Sequence, residues 1–347
     1  MSPNSQNTAQ GPPWRMPAEW EPHARTHLSW PAHTSLYRTD LPAVRAAVAR
    51  LARAIAEHEP VALLARPEQQ AAARQAVGGA VEVLPIPVDD LWTRDHGPTF
   101  VRRPGEVAGV DFGFNGWGEK QRPHDDDHRV PRRLLGHLGL PRQAAPIVAE
   151  GGSLEVDGEG TLLATESSLI NDNRNPGRGK EDIEAVLGAL LGVRKVIWLA
   201  GLRGGDITDC HVDGLARFTA PGVVLLNRPA TGAPPDEWTA VCEEALKSLQ
   251  AATDAQGRAI EVVELPEPER SRIRGSGDFL ATYLNYYVAN GAVFAPKFGD
   301  RLADDHARGL LAELHPGRTV VQLDIDPIAY YGGGIHCATQ QEPAMTM

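Results

Sequence analysis

Tyr330-Tyr331-Gly332-Gly333-Gly334-Ile335-His336-Cys337-Ala338-Thr339-Gln340-Gln341 lies almost at the C-terminal end of the chain. A Cys that follows three glycines and precedes a polar tail departs from the pattern of core packing. Glycine runs suit places where the backbone takes left-handed conformations or comes close to a ligand. A thiol held beside such a run is well placed as a nucleophile, because the thiolate is the reactive form and its surroundings set its pKa. Cys337 is therefore a candidate nucleophile, and a buried structural Cys is the competing reading.

The chain has 347 residues, and 34 Lys+Arg against 45 Asp+Glu give a net charge of −11. That length holds one large domain or two ordinary ones. The 35 glycines and 28 prolines favour many tight turns between short strands. No apolar run approaches the ~20 residues needed to span a bilayer, so no membrane partner is expected. Residues 1–13 are polar and Pro-containing, without a basic stretch followed by an apolar core. They read as a disordered lead-in and not as a signal peptide. The acidic balance argues against nucleic acid, which demands a concentrated basic surface, and favours cationic small molecules. Cys210, Cys242 and Cys337 are odd in number and scattered, which points away from a disulfide framework and toward a reducing cytoplasm.

Trp14–Pro31 is aromatic and Pro-rich and reads as irregular packing. Helical spacing of apolar residues predicts helices over Leu41–Glu57, Glu68–Val77, Val130–Leu138, Glu181–Leu191, Asp236–Ala252 and Asp304–Leu314. Strands are predicted over Val61–Ala65, Val81–Leu84, Lys195–Leu199, Ile260–Leu265 and Thr319–Leu323. Hairpins are expected around Pro104-Gly105 (Thr99–Arg102, Glu106–Phe112), around residues 157–160 (Ser153–Val156, Thr161–Thr165) and around Pro221-Gly222 (Leu215–Phe218, Val223–Leu226). Asn290-Gly291 predicts another, between Ala281–Ala289 and Ala292–Ala295. A strand–strand–helix–strand order thus recurs at roughly 60 to 70 residues, with too little identity between units to mark repeats unaided.

Four further segments carry chemistry-bearing residues. In Trp92-Thr93-Arg94-Asp95-His96-Gly97-Pro98 a carboxylate stands between Arg and Gly-Pro after a strand, as a ligand or as half of an Arg–Asp surface pair. Glu150-Gly151-Gly152-Ser153 places an acid before a glycine pair at a strand start. In His211-Val212-Asp213, alternation along an extended segment would set both side chains on one face, toward a ligand or toward solvent. The same alternation turns Cys210 away from that face, as a packing residue. Phe114-Asn115-Gly116-Trp117-Gly118 is the fourth segment. His124-Asp125-Asp126-Asp127-His128 reads as a solvated acidic loop before it reads as a metal site. Asn171-Asp172-Asn173-Arg174-Asn175-Pro176-Gly177 has the composition of a turn.

Together the glycine run with Cys337 and these four segments resemble the agmatine deiminase family of the guanidine-modifying superfamily, related to bacterial peptidylarginine deiminases; residues 171–177 also resemble a segment of that family, with structural weight only. The resemblance runs from about Met16 to Pro343. It implies an α/β fold, a five-bladed α/β-propeller around a central channel; no linker divides the chain, so a single catalytic domain over residues 14–347 is expected. It implies a small cationic guanidine substrate, a homo-oligomer (dimer or larger), and neither metal nor organic cofactor. By the same resemblance Asp95 and Asp213 clamp the guanidinium, Cys337 attacks its carbon, His211 is the general acid/base, and Glu150 contacts that His and the guanidinium. Trp92, Trp117 and Gly334 are the further substrate-binding candidates, Trp92 by stacking on the planar cation.

The match has departures. The family typically carries Gly-Asp-Glu before a Thr and then Gly-His-x-Asp-Asn, whereas Ile207, Cys210 and Gly214 stand here for the Glu, the Gly and the Asn. Clamp and base persist, so guanidine chemistry is the expectation. The leading reading is hydrolysis of agmatine to N-carbamoylputrescine and ammonia. Free or peptidyl arginine as substrate, amidino transfer, and a non-catalytic binding module of the same fold are the alternatives.

Overall fold

The computed structural model describes residues 12–269 and 279–346. The lead-in expected over residues 1–13 lies, up to residue 11, outside the described residues. Among the described residues the chain forms sixteen strands grouped in five sheets.

Four of the sheets share one plan: a tight antiparallel hairpin, a helix, and a third strand that adds in parallel. They are β4–β5–β6 (Thr99–Arg103, Glu106–Asp111, Arg142–Ala144), β7–β8–β9 (Glu155–Val156, Thr161–Thr165, Lys195–Leu199), β10–β11–β12 (Ala216–Ala220, Val223–Arg228, Glu261–Pro266) and β13–β14–β15 (Tyr287–Ala289, Ala292–Lys297, Thr319–Asp324). The first sheet differs, because β1 (His23–Ser29) pairs antiparallel with β16 (Gln340–Pro343) and parallel with β2 (Val61–Leu64), followed by β3 (Val81–Leu84). The two ends of the chain are thus joined in one sheet, and the segment after Cys337 is fixed by backbone hydrogen bonds.

The helices form where apolar residues recur every three or four positions. In Leu41–Ala56 the residues Val44, Val48, Leu51 and Ile55 are all buried and Pro42 opens the first turn. Each such side chain contributes roughly 1.5–3 kcal/mol by leaving water. They pack with Leu28 and Leu63 of the first sheet and Phe294 of the fifth in one cluster that also includes Trp92, Trp117 and Cys337. The Asn290-Gly291 turn forms as expected, with Gly291 at φ +73° and Ala289 opposite Ala292. No helix among the described residues is long and apolar enough to cross a membrane.

Some expectations are corrected. Trp14–Pro31 contains β1, whose pairing partners lie far away in sequence. The strand expected over Ala281–Ala289 is confined to Tyr287–Ala289. Residues 282–286 instead lie outside the ladder, with the side chains of Thr282, Tyr283 and Asn285 in buried hydrogen bonds to Asn227, Asp304 and Asp213. The loop 124–128 is solvated only in part: Asp125 and His128 are exposed, whereas Asp127 is not. Asp127 is buried and accepts from the backbone N–H groups of Asp89 and Asp90, while Asp126 pairs with Arg66 and Arg133.

Candidate active site

Asp95 does not directly follow a strand. It lies in a single helical turn, Thr93–His96, ahead of β4. That turn packs on the glycine run, with Arg94 N–H donating to the Cys337 carbonyl at 3.1 Å. The Arg94–Asp95 surface pair does not form: both residues are buried, and the Arg94 side chain turns to Gln341 (2.7 Å) and Glu19 (3.1 Å). Asp95 accepts from Trp117 Nε1 at 2.9 Å and from Gly152 N–H at 3.0 Å.

His211 and Asp213 are not on a strand either. Val212–Gly214 is a 3₁₀ turn with His211 as its N-cap. The turn still presents both side chains to one point. A Cβ built on Gly152 would lie 2.6 Å from His211 Nδ1, 2.9 Å from Asp95 Oδ1 and 3.1 Å from Asp213 Oδ2. Residue 152 must therefore be glycine, because any side chain would occupy the point where the three groups converge. The preceding residues Asp209 and Cys210 have φ values of +61° and +68°. Each costs a non-glycine residue of the order of 1 kcal/mol unless its surroundings impose it. Here Asp206 Oδ1 accepts from Thr208 and Cys210 N–H, and Ser167 and Thr165 hydroxyls hold the Asp209 and Cys210 carbonyls. Cys210 is 2 % exposed within an apolar cluster with Val212, Leu226 and Cys242, which agrees with a packing role.

Cys337 Sγ stands 3.6 Å from Asp213 Oδ2 and accepts from Asn285 Nδ2 at 3.2 Å. Asn285 Oδ1 in turn takes the Cys337 N–H at 3.2 Å. The glycine run permits this approach. A Cβ on Gly334 would fall 2.4 Å from Asn285 Oδ1, and one on Gly333 would fall 2.1 Å from the Trp92 ring. Gly334 thus borders the thiol through Asn285, and Trp92 is the buried floor under Gly333.

The charges are strongly coupled. Burial disfavours the His211 cation, but Asp95, Glu150 (3.4 Å from Nε2) and Asp213 outweigh it and raise the imidazole from 6.5 to about 9. Burial and the neighbouring carboxylates raise Asp95, with His211 opposing. Burial would also raise Asp213 and Glu150. His336 and His211 hold Asp213 low, and Arg174 and His211 hold Glu150 low. Burial, Asp213 and Asp95 push the Cys337 thiol well up, so a cation placed between the two aspartates would favour its thiolate.

Several residues of this centre were missed in the sequence. Arg174, read as part of a turn, donates to Glu150 from Nε at 2.8 Å. Asn285 falls within the span expected as a strand. His336 lies 2.7 Å from Asp213 and 2.8 Å from Glu19, which also receives Arg217 at 2.9 Å. The adjacency of His336 to Cys337 and the family resemblance of the turn that holds Arg174 are the local signals; the residues themselves come from segments far apart in the chain.

Residues 15–343 match the model of the Porphyromonas-type peptidyl-arginine deiminases. The agmatine deiminase of Medicago truncatula is 38% identical over 98% of this chain and 99% of its own length. That of Stutzerimonas stutzeri is 40% identical over 95% of each. The solved agmatine deiminase of Enterococcus faecalis superposes with a TM-score of 0.89 at 33% identity, covering 95% of this chain and 96% of that one. The chain belongs to the family of Porphyromonas-type peptidyl-arginine deiminases and agmatine deiminases.

Proposed function

We propose that this protein hydrolyses the C–N bond of a guanidine, with agmatine the leading substrate and N-carbamoylputrescine and ammonia the products. The observation that carries the reading is the convergence of Asp95, His211 and Asp213 on the space where a side chain at Gly152 would begin, with the Cys337 sulfur 3.6 Å from Asp213. Two carboxylates facing one point suit the two NH₂ edges of a planar cation. Trp92 and Trp117 complete the walls, Trp117 also fixing Asp95 through its indole N–H.

The guanidinium carbon is resonance-stabilised, so the mechanism must orient it and protonate its leaving group. The bound cation offsets Asp95 and Asp213 and lets Cys337 ionise, its proton passing to solvent while His211 stays protonated. The thiolate attacks the central carbon, His211 gives its proton to the departing nitrogen, and ammonia leaves. An S-linked thiouronium remains on Cys337. Neutral His211 takes a proton from water, the resulting hydroxide adds to the same carbon, and the C–S bond breaks to return the thiolate and release the carbamoyl product. Glu150 orients His211 throughout.

In this reading the five sheets, which repeat one strand order, are blades of a single α/β-propeller spanning residues 14–347, with the site in its central channel. The enzyme works in the cytoplasm as a dimer or larger assembly. Ammonia release from agmatine, arginine, a blocked arginine peptide and guanidinobutyrate tests the function. Turnover of agmatine far above the others is the expected result. Preference for another member would keep the mechanism and assign the change to Ile207, Cys210 and Gly214. Silence on all four with an inert Cys337 would overturn the reading in favour of a binding module.

A further inference from the structure

The turn 171–177 projects one fully buried guanidinium toward the site without reaching its centre. Arg174 Nε donates to both oxygens of Glu150, at 2.8 and 3.1 Å. Its Nη1 donates to Asp209 Oδ2 at 2.7 Å and to Asn173 Oδ1 at 2.9 Å, and its Nη2 to the Thr208 carbonyl at 2.9 Å. One planar fork thus joins the carboxylate beside the His211 ring to the backbone that leads into His211.

We propose that Arg174 is a positioning residue for the acid/base step, registering Glu150 against residues 208–211 so that the His211 ring keeps its place over the substrate carbon.

Three observations support this role. Thr208 Oγ1 accepts the His211 N–H at 3.0 Å, so holding Thr208 holds His211. Between them Asp209 and Cys210 keep left-handed φ values, which non-glycine residues adopt only where the surroundings over-determine them. Asp209 is the anchor: besides Arg174 it takes Lys120 Nζ at 2.7 Å, Gly204 N–H at 2.8 Å and Asn173 Nδ2 at 3.2 Å, and these partners hold its carboxyl at about 2 against the opposing effect of burial. The same cation also offsets part of the Glu150 charge. His211 is faced by Asp95 at 3.7 Å, Glu150 at 3.4 Å and Asp213, so its proton affinity depends on how much of that charge is offset.

The role rests on reading His211 as the acid/base of guanidine hydrolysis. The test compares Arg174→Gln, Arg174→Lys and Asp209→Asn with wild type on the best guanidine of the panel, taking kcat, KM and the pH profile separately. Arg174→Gln should lose about 10²-fold in kcat with KM changed only a few-fold, the scale expected when reacting groups move by about 1 Å. The pH limb belonging to His211 should move upward, because Glu150 then acts on it unopposed. Arg174→Lys should return that limb toward wild type but leave kcat at least roughly tenfold down, since a point charge cannot make the fork. Asp209→Asn should lower kcat about tenfold with KM little changed, and it decides the matter should Arg174→Gln not fold. A folded variant with wild-type kcat and pH limb, altered only in melting temperature, would make Arg174 a structural ion pair and overturn the role. Wild type silent on every guanidine would remove the functional reading and this role with it, whereas an active wild type matched by its variants removes the role alone.

Discussion

The His336 imidazole lies 2.7 Å from Asp213 Oδ2, the same carboxylate oxygen that stands 3.6 Å from the Cys337 sulfur. Its other nitrogen is 2.8 Å from Glu19, a residue from the opposite end of the chain that also accepts from Arg94, Arg217 and the Val288 N–H. The residue next to the candidate nucleophile therefore ties Asp213 into a buried network of charges. Replacing one member of such a network leaves its partners desolvated and underpaired.

His336→Asn is accordingly expected to lower stability by about 3 kcal/mol and to raise KM more than it lowers kcat, because Asp213 loses its orientation. Urea unfolding and steady-state kinetics measure the two effects. A loss under roughly 0.5 kcal/mol, the range of ordinary surface changes, would show that the network does not depend on this contact.

Gly152→Ala places a methyl group 2.6 Å from His211 Nδ1 and 2.9 Å from Asp95 Oδ1. Both side chains must then move from their shared point. The expected outcome is a loss of more than about 10²-fold in kcat/KM with a near-native melting temperature. Activity within a few-fold of wild type would show that the three groups need not converge there.

Cys337→Ala should abolish turnover and leave the fold intact, read by ammonia release alongside circular dichroism. Cys210 provides the contrast. Cys210→Ala removes a buried sulfur at a cost of about 1 kcal/mol and should keep most activity. Cys210→Gly loses the Cβ as well as the sulfur but relaxes the φ of +68°, and the relief of strain should bring it closer to wild-type stability than the alanine variant. Turnover by folded Cys337→Ala, or an inactive folded Cys210→Ala, would reverse the assignments.

The pH dependence of stability carries the signature of His211. Its folded value is about 9 against 6.5 for the free group, so the proton is held more tightly in the folded state. The stabilising contribution is fully present below about pH 6.5 and is lost as pH rises through about 9, and it amounts to roughly 3 kcal/mol. Urea unfolding of wild type and His211→Gln across this window should show the difference between them shrinking as pH rises. A constant difference would mean that the surrounding carboxylates do not hold the imidazolium.

The local grammar of the chain was legible. Pro104-Gly105 and Asn290-Gly291 turn hairpins where their backbone preferences demand, and helices such as Leu41–Ala56 form where every third or fourth residue can leave water. Cys337 stood out because three glycines before a thiol make poor core. Asp95, Glu150, His211 and Asp213 stood out through the family resemblance of their segments. These signals depend on neighbours within about ten residues. Tertiary structure decided the rest. Gln340–Pro343 read as a polar tail, yet it pairs with His23–Ser29 because the first sheet leaves an edge of unpaired N–H and C=O groups there. His211 and Asp213 meet Asp95 through a 3₁₀ turn and not through strand alternation, since Asp206, Thr208, Ser167 and Thr165 consume that loop's hydrogen bonds. Glu19, Arg217 and Asn285 gave no local sign of belonging to one centre, and the segment of Arg174 resembles the family only as a turn. A buried charge needs an opposite charge within a few ångströms, and that requirement selects partners by position in space, without regard to their separation along the chain.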